Sequence, residues 1–328
     1  MNKSIKILIK WLVALLLTAG LFYFLYKKIN GQEDFTSIRQ LLLQAMVGSE
    51  AWKSWLIIIL VFINWGIESY KWKLLVSTIQ SLPLLQSIKS VLCGITLTFF
   101  TPNRIGEYGG RVFFIKEGHR LQAVSLSVAG SIAQLIITLI IGSVGLLYLL
   151  LAKKLSLSTI GIHDIWLTIL IACCLLVTIL LCLFYFKMAW LTKWVERFAF
   201  TRPFVKHIAV LEKLDVKILL SLLALSTLRY FVFVLQYIFM LQLMQVEQNS
   251  WQSFWLVSVM FLLLAIIPSF AIAELGIRGA IATSLFAYTG NVLGILTVTF
   301  GIWLINLFLP ALAGSLLILG IKTSKTDD

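Results

Sequence analysis

Long apolar stretches recur along this chain, and they constrain its fold more than any other feature of the sequence. A helix needs about 20 mainly apolar residues to cross the hydrocarbon core of a bilayer. Six windows are predicted to be such helices: Trp11–Tyr26, Trp55–Leu75, Gln122–Leu151, Ile165–Phe186, Ile218–Leu243 and Val292–Ile321. Charged residues make up only 12% of the chain, whereas soluble domains carry about 25%. The sequence therefore predicts an all-α, polytopic membrane protein.

Two further apolar segments, Leu84–Thr101 and Trp251–Ile267, fit poorly as complete spans. Four basic residues follow the first segment closely: Arg104, Arg111, Lys116 and Arg120. They would lie outside the cell if this segment crossed the bilayer, against the usual cytoplasmic bias of basic residues. The second segment ends at Pro268 and is followed by a short apolar piece, Gly279–Thr289. We therefore predict two re-entrant hairpins, broken at Pro and Gly and inserted from opposite sides.

The two breaks carry nearly the same motif. The first reads TPNRIGEYGGR over residues 101–111, and the second reads PSFAIAELGIR over residues 268–278. Each has a proline and then Glu-x-Gly-x-Arg, so one helical turn would bring the glutamate and the arginine together. Proline ends a helix, glycine permits close approach, and a helix N-terminus attracts phosphate or carboxylate groups. Matching Gly/Pro-interrupted segments in two halves of a chain indicate the central site of a transporter.

The helices that precede the two breaks each have a polar face. The polar residues of these faces are Asn64, Glu68 and Lys71 on one helix, and Ser226, Arg229 and Gln236 on the other. An arginine in mid-span costs about 2.5–3.5 kcal/mol, so Arg229 is predicted to point into the helix bundle. Each half would then be a helix with a polar face, a hairpin and a return helix, and opposite insertion of the hairpins makes the halves inverted repeats.

The sequence predicts a single integral membrane domain, 1–328, with four parts. They are a first span with an external amphipathic helix Phe35–Met46 (1–54), repeat 1 (55–151), a connecting span with a basic cytoplasmic loop (152–217) and repeat 2 (218–321). No small-x-small cleavage site follows the first window, so we expect a retained span rather than a signal peptide.

Basic residues predict the orientation of the chain. Three lysines precede the first window, the connection Lys187–Lys217 is rich in Lys and Arg, and Lys322 and Lys325 follow the last window. Placing all three groups on the cytoplasmic side puts both termini inside. The net charge of +13 suits this topology and anionic lipids, and we predict no nucleic-acid partner.

A candidate substrate-binding site follows from the motifs and the polar faces. Arg111, Arg278 and Arg229 would bind a phosphate or another anionic group, while Glu107 and Glu274 would position these arginines and reset the empty site. The remaining candidates are Arg104, Gly106, Gly109, Gly276, Glu68 and Lys71. Either Glu–Arg pair alone could instead be a structural ion pair, and Arg104 could be an interfacial anchor. The scattered histidines and the four cysteines lack metal-ligand or disulfide spacing, so we predict no metal, cofactor or catalytic residue.

The segments TPNRIGEYGGR (101–111) and IAELGIRGA (272–280), together with NWGIESYKW at residues 64–72, resemble the flippase-like transmembrane domain of lysylphosphatidylglycerol synthase/flippase proteins. The resemblance covers approximately residues 5–320. It implies a domain that moves an aminoacylated phospholipid across the plasma (inner) membrane of a bacterium, in proteins whose soluble C-terminal domain makes that lipid. The chain stops at Asp328, so we expect no lipid-aminoacylating activity. Lys71 stands where the family more usually has arginine before Trp72.

Three functional hypotheses follow. The leading one is a lipid translocase for an anionic or phosphate-bearing amphiphile, working by alternating access around the central Arg/Glu site. The second is a membrane transferase acting on a phospholipid or polyprenyl-phosphate, with Glu107 as the base. The third is a membrane subunit of a separate soluble lipid-modifying enzyme, docked on the Lys187–Lys217 loop. A transporter is favoured over an enzyme, because the sequence has no DxD-type pair and no nucleophile–base spacing.

Overall fold

The computed structural model describes residues 43–99, 101, 104–152, 164–187, 207–246, 249–267 and 271–324. This part of the chain is helical, with no strand among its residues, and confirms the all-α prediction. Five helical segments in it are long and apolar enough to cross a membrane: Ala51–Val76, Glu117–Leu151, Thr168–Phe186, Val216–Leu243 and Val292–Leu319. They match five of the six predicted spans. Outside the described residues lie the first window, most of the Phe35–Met46 segment, Pro102, Pro268 and most of the basic loop.

The helices are named in chain order as follows: α1 (Ala51–Val76), α2 (Leu84–Thr98), α3 (Gly106–Arg111), α4 (Arg120–Leu151), α5 (Asp164–Phe186), α6 (Val216–Leu243), α7 (Ser250–Ile266), α8 (Ala271–Leu285), α9 (Val292–Trp303) and α10 (Leu309–Ser324). A π-helical segment, Leu304–Phe308, joins α9 to α10. Asparagine caps begin two of the helices, because the side chain of Asn249 accepts backbone N–H groups of α7 and that of Asn291 accepts one of α9.

Helices α1 and α6 pack antiparallel against each other. The Arg229 Nε atom donates to Asn64 Oδ1 over 2.9 Å, and ten residues further along α6 the Phe239 ring lies 6.1 Å from that of Trp52. Residue numbers therefore rise along α6 as they fall along α1. The end of α1 lies beside the start of α6, and the end of α6 lies beside the start of α1.

Helices α2 and α3 form a short antiparallel pair that turns the chain back on itself. A Cβ atom at Gly110 would overlap the carbonyl group of Cys93, so glycine is needed where the two backbones meet. The side-chain amide of Gln80, which lies between α1 and α2, donates to the Phe114 carbonyl over 3.2 Å and accepts from the Lys116 N–H over 3.1 Å. Both ends of this pair are therefore held at the end of α1.

Helices α7 and α8 turn the chain back in a similar way. Helix α7 packs against α8, and α8 packs against α9. Asn291 lies just before α9 and Met244 lies just after α6. The Asn291 Nδ2 atom donates to the Met244 carbonyl over 3.1 Å. Both ends of the α7–α8 pair are therefore held at the end of α6, as those of α2–α3 are held at the end of α1.

Small residues let the helices approach closely elsewhere in the bundle, as is common in membrane proteins. Helix α10 crosses α2 where the Thr96 hydroxyl donates to the Ala311 carbonyl over 2.8 Å, and a Cβ atom at Gly314 would overlap the Leu92 carbonyl. Large apolar side chains cover the outside of the spans, Phe62 being 74% exposed. Such a surface suits contact with lipid tails, while Asn64, Glu68, Lys71, Ser226 and Gln236 of α1 and α6 are buried.

Candidate functional site

A cavity of about 550 Å³ lies between α1, α6 and the two short helix pairs. Residues of α1, α3 and the segment before it, α4, α6, α7, α8, α9 and the π-helical segment line it. Its polar lining residues include Glu68, Lys71, Arg104, Glu107, Tyr108, Ser131, Gln134, Thr138, Arg229, Tyr230, Glu274, Arg278 and Asn306. Seven of these residues are candidates from the sequence analysis. The structure therefore brings residues from both predicted repeats around one space.

Glu68 is the centre of the first charged cluster. One carboxylate oxygen lies 2.6 Å from Arg111 Nη2, and the other lies 2.9 Å from Arg229 Nη1 and 3.3 Å from Lys71 Nζ. Glu107 adds a second carboxylate, because it pairs with Arg111 one helical turn further along α3. These five residues are the Glu68 cluster. Glu68 and Lys71 are almost fully buried, which is tolerated because each charge faces an opposite one.

Arg111 is held inside the protein wall rather than at the cavity surface. Its side chain is only 5% exposed, and it lies between the carboxylates of Glu68 and Glu107. The guanidinium carbon lies 5.5 Å from the centre of the Trp72 ring, a geometry typical of a cation–π contact. Arg111 is not among the described residues that line the cavity. It fixes the two carboxylates and ties α3 to α1.

Arg229, in contrast, lines the cavity and is framed by aromatic rings. Its guanidinium carbon lies 5.3 Å from the centre of the Trp65 ring and 5.5 Å from that of Phe233. Its Nε atom donates to Asn64, whose own Nδ2 atom donates to Asn306 Oδ1 over 3.2 Å. This chain of hydrogen bonds joins α1 and α6 to the π-helical segment. The wider turns of π-helices are often found at functional sites.

Glu274 is the centre of the second charged cluster. Its Oε1 atom accepts from Arg278 Nη2 over 2.5 Å, one helical turn further along α8. Arg278 Nη1 donates to the Tyr237 hydroxyl over 2.8 Å. Arg104 Nη2 lies 3.2 Å from both Glu274 oxygens, although it belongs to the segment before α3. These four residues are the Glu274 cluster, which joins the α2–α3 region to α8 and α6.

The two clusters together carry an excess of positive charge. In their usual ionised forms, their described residues contribute five cations, Lys71, Arg104, Arg111, Arg229 and Arg278, and three carboxylates, Glu68, Glu107 and Glu274. Two positive charges are therefore uncompensated beside one cavity. Buried charges are costly unless they are paired, so an anion beside these residues would stabilise the excess positive charge.

The glycines of the motif differ in what they do. A Cβ atom at Gly106 would overlap the carbonyl of Leu97, whereas one at Gly109 would meet only the end of the Leu97 side chain at 3.8 Å. The tight backbone contact within the second half of the motif instead falls on Gly110. Gly276 is buried in α8. Gly106 and Gly110 therefore serve the packing of α3 on α2.

Sequence reasoning missed several residues of the site, three of which contact its key polar side chains directly. Tyr237 binds Arg278, Asn306 binds Asn64, and the ring of Trp65 covers Arg229. Nothing in the local sequence marks Tyr237 as a site residue, and Trp65 lies in the NWGIESYKW segment, where only its polar neighbours were taken as candidates. Asn306 is a polar residue in the last span, and its polarity is the one local signal that points to a buried partner.

No curated protein and no solved structure matches the chain. A family model described as "Lysylphosphatidylglycerol synthase TM region" matches residues 11–315. The matched range includes both Glu-x-Gly-x-Arg motifs and every residue of the Glu68 and Glu274 clusters. It also covers the five described helical segments that could cross a membrane, apart from the last four residues of the fifth. The chain therefore belongs to the lysylphosphatidylglycerol synthase TM region family, as its motifs predicted.

Proposed function

We propose that this protein is a lipid translocase that moves an anionic or phosphate-bearing amphiphile across the membrane. The observation that carries the proposal is the convergence of the Glu68 and Glu274 clusters on one cavity with an excess of positive charge. A phosphate group is the natural ligand of such a site, because guanidinium groups bind it through two parallel hydrogen bonds. Membership of a lipid-related membrane family agrees with this substrate class.

The apolar part of the cavity suits the rest of such a molecule. Its apolar lining residues include Phe261, Leu264, Ala265, Ile266, Ile267 and Leu307. Ile266 and Ile267, at the end of α7, are 45% and 39% exposed. An amphiphile could place its phosphate beside the arginines while its hydrocarbon passes over this apolar edge towards the bilayer. A wholly polar solute would leave that edge uncovered.

Alternating access between two inverted repeats is the proposed mechanism. The α2–α3 pair is held at the end of α1 and the α7–α8 pair at the end of α6. Because α1 and α6 are antiparallel, the two pairs would enter the membrane as re-entrant hairpins from opposite sides. Transporters of this kind bind substrate at the interface between repeats and rock one repeat against the other. The basic segments would place both termini in the cytoplasm.

The carboxylates would make binding reversible. Glu274 pairs with Arg278 and Arg104, and Glu68 pairs with Arg229. A phosphate that competes for these arginines would release them from the carboxylates, and the carboxylates would recapture them when the lipid leaves. Binding that is too strong would stop release, so paired arginines suit transport better than free ones.

Transport in proteoliposomes tests the proposal. A fluorescent phospholipid in the inner leaflet becomes accessible to an impermeant quencher only if the protein moves it, and the assay is run with and without a proton gradient. We expect Arg229→Gln and Arg278→Gln each to slow transport by about tenfold or more, as loss of a charged hydrogen bond does. Arg120→Gln is the matched control, because Arg120 pairs with the exposed Glu117 and lies outside the cavity. Equal transport rates in the unmodified protein and in all three variants would overturn the proposal.

A further inference from the structure

The positive excess at the cavity is divided between the two clusters. The Glu68 cluster has three cations and two carboxylates, and the Glu274 cluster has two cations and one carboxylate. Each cluster therefore holds one uncompensated positive charge, counted with its groups in their usual ionised forms. Both clusters expose cationic residues to the cavity: Lys71 and Arg229 from the first, and Arg104 and Arg278 from the second.

Two separate positive centres have a consequence for the headgroup. The phosphate of a phosphodiester lipid carries one negative charge, so even without a cationic headgroup it would neutralise one cluster and leave the other uncompensated. A phosphomonoester carries between one and a half and two negative charges near neutral pH, and a diphosphate carries at least as many. Building on the proposed translocase function, we propose that the cavity selects lipids whose phosphate headgroup carries two negative charges, a phosphomonoester or a diphosphate, over phosphodiester lipids.

The hydrogen-bond donors of the cavity wall also suit a phosphate headgroup with two negative charges. Trp65 Nε1 and Arg278 Nε are buried donors with no hydrogen-bond partner among the described residues. Both residues line the cavity, one beside each cluster. Arg104, whose side chain is 50% exposed, adds donors that remain accessible. A phosphomonoester or diphosphate has more free oxygens than a phosphodiester. After small shifts of these side chains, their N–H groups would donate to those additional oxygens.

Lipid binding to the full-length protein in detergent micelles tests this inference by native mass spectrometry. The probes are dioleoyl phosphatidic acid, phosphatidylglycerol and phosphatidylcholine, which share their acyl chains and differ in headgroup charge. We expect phosphatidic acid to bind about tenfold more tightly than phosphatidylglycerol, as one further charged hydrogen bond allows. Arg104→Gln and Arg278→Gln each remove one excess charge and should bring the two lipids to similar affinity. Arg120→Gln, outside the cavity, should keep the preference.

Several outcomes would overturn the inference. If phosphatidylglycerol binds as tightly as phosphatidic acid, selection for two charges is wrong, although the translocase proposal stands while anionic lipids bind and move. If phosphatidylcholine binds equally well, both proposals fail. If inorganic phosphate at a matched concentration displaces phosphatidic acid fully, the ligand is free phosphate rather than a lipid headgroup. Variant proteins are compared only when they elute as single species. Arg104→Gln should disturb the fold less than Arg278→Gln, because the Arg104 side chain is half-exposed.

Discussion

Arg104 Nη2 lies 3.2 Å from both carboxylate oxygens of Glu274, a residue 170 positions further along the chain. Arg104 has a φ of 59°, in the left-handed region that side chains other than glycine rarely adopt. Its side chain is 50% exposed, whereas that of Glu274 is 9% exposed. The ion pair therefore reaches from the cavity surface to a buried carboxylate, and it joins the segment before α3 to α8.

Removing this link should loosen α8 as well as the segment that carries Arg104. We expect Arg104→Gln to raise amide hydrogen exchange in peptides covering α8 by about fivefold, since a partly exposed ion pair contributes up to about 1 kcal/mol. Exchange is measured by mass spectrometry on the protein in detergent. Arg120→Gln breaks a surface pair with Glu117 and should leave α8 unchanged. Faster exchange near residue 104 alone would show that the pair does not couple the two regions.

Glu68 should contribute more to stability than any surface carboxylate. Its replacement by glutamine leaves Lys71, Arg111 and Arg229 without their shared partner, and removal of one member of a buried ionic group costs about 3–5 kcal/mol. The measurement is the free energy of unfolding from SDS titration. Glu50→Gln is the control, because Glu50 pairs with Lys53 at the surface and its loss should cost less than about 1 kcal/mol. Similar losses in both variants would contradict the prediction.

The sequence predicted those parts of the site that depend on local geometry. A helix brings residues four apart to the same face, so the pairs Glu107–Arg111 and Glu274–Arg278 follow from spacing alone once each motif is helical. Hydropathy likewise predicted five of the helical segments long enough to cross a membrane, because span length depends on bilayer thickness rather than on tertiary contacts.

Contacts between distant segments could not be predicted in the same way. The partner of Arg104 is set by how the α2–α3 region meets α8, and that of Asn306 by how the π-helical segment meets α1. The local sequence around these residues does not indicate which distant helix each one meets. The roles of neighbouring glycines were also hidden, because Gly109 and Gly110 differ only in which side of α3 faces α2.

The neighbouring glycines give a prediction with a built-in control. A methyl group at Gly110 would overlap the Cys93 carbonyl, so Gly110→Ala should destabilise the protein by about 1–3 kcal/mol, as overpacking usually does. Gly109→Ala has room and should be neutral or slightly stabilising, since alanine favours a helix over glycine by about 1 kcal/mol. Both are measured by SDS titration. A loss of stability at Gly109 equal to that at Gly110 would mean that α3 does not pack on α2 as described.

Arg111 and Arg229 both bind Glu68, yet their positions predict different roles. Arg111 lies between two carboxylates behind the cavity wall, and lysine cannot bridge both groups in the same way. Arg111→Lys should therefore lower the free energy of unfolding by about 1–3 kcal/mol, with phosphatidic acid affinity unchanged in the folded protein. Arg229 lines the cavity, so Arg229→Lys should weaken phosphatidic acid binding by about tenfold. Each variant is measured by SDS titration and native mass spectrometry. If Arg111→Lys remains stable but loses lipid binding, Arg111 contacts the headgroup directly, and the cavity must then open as far as α3 when the lipid binds.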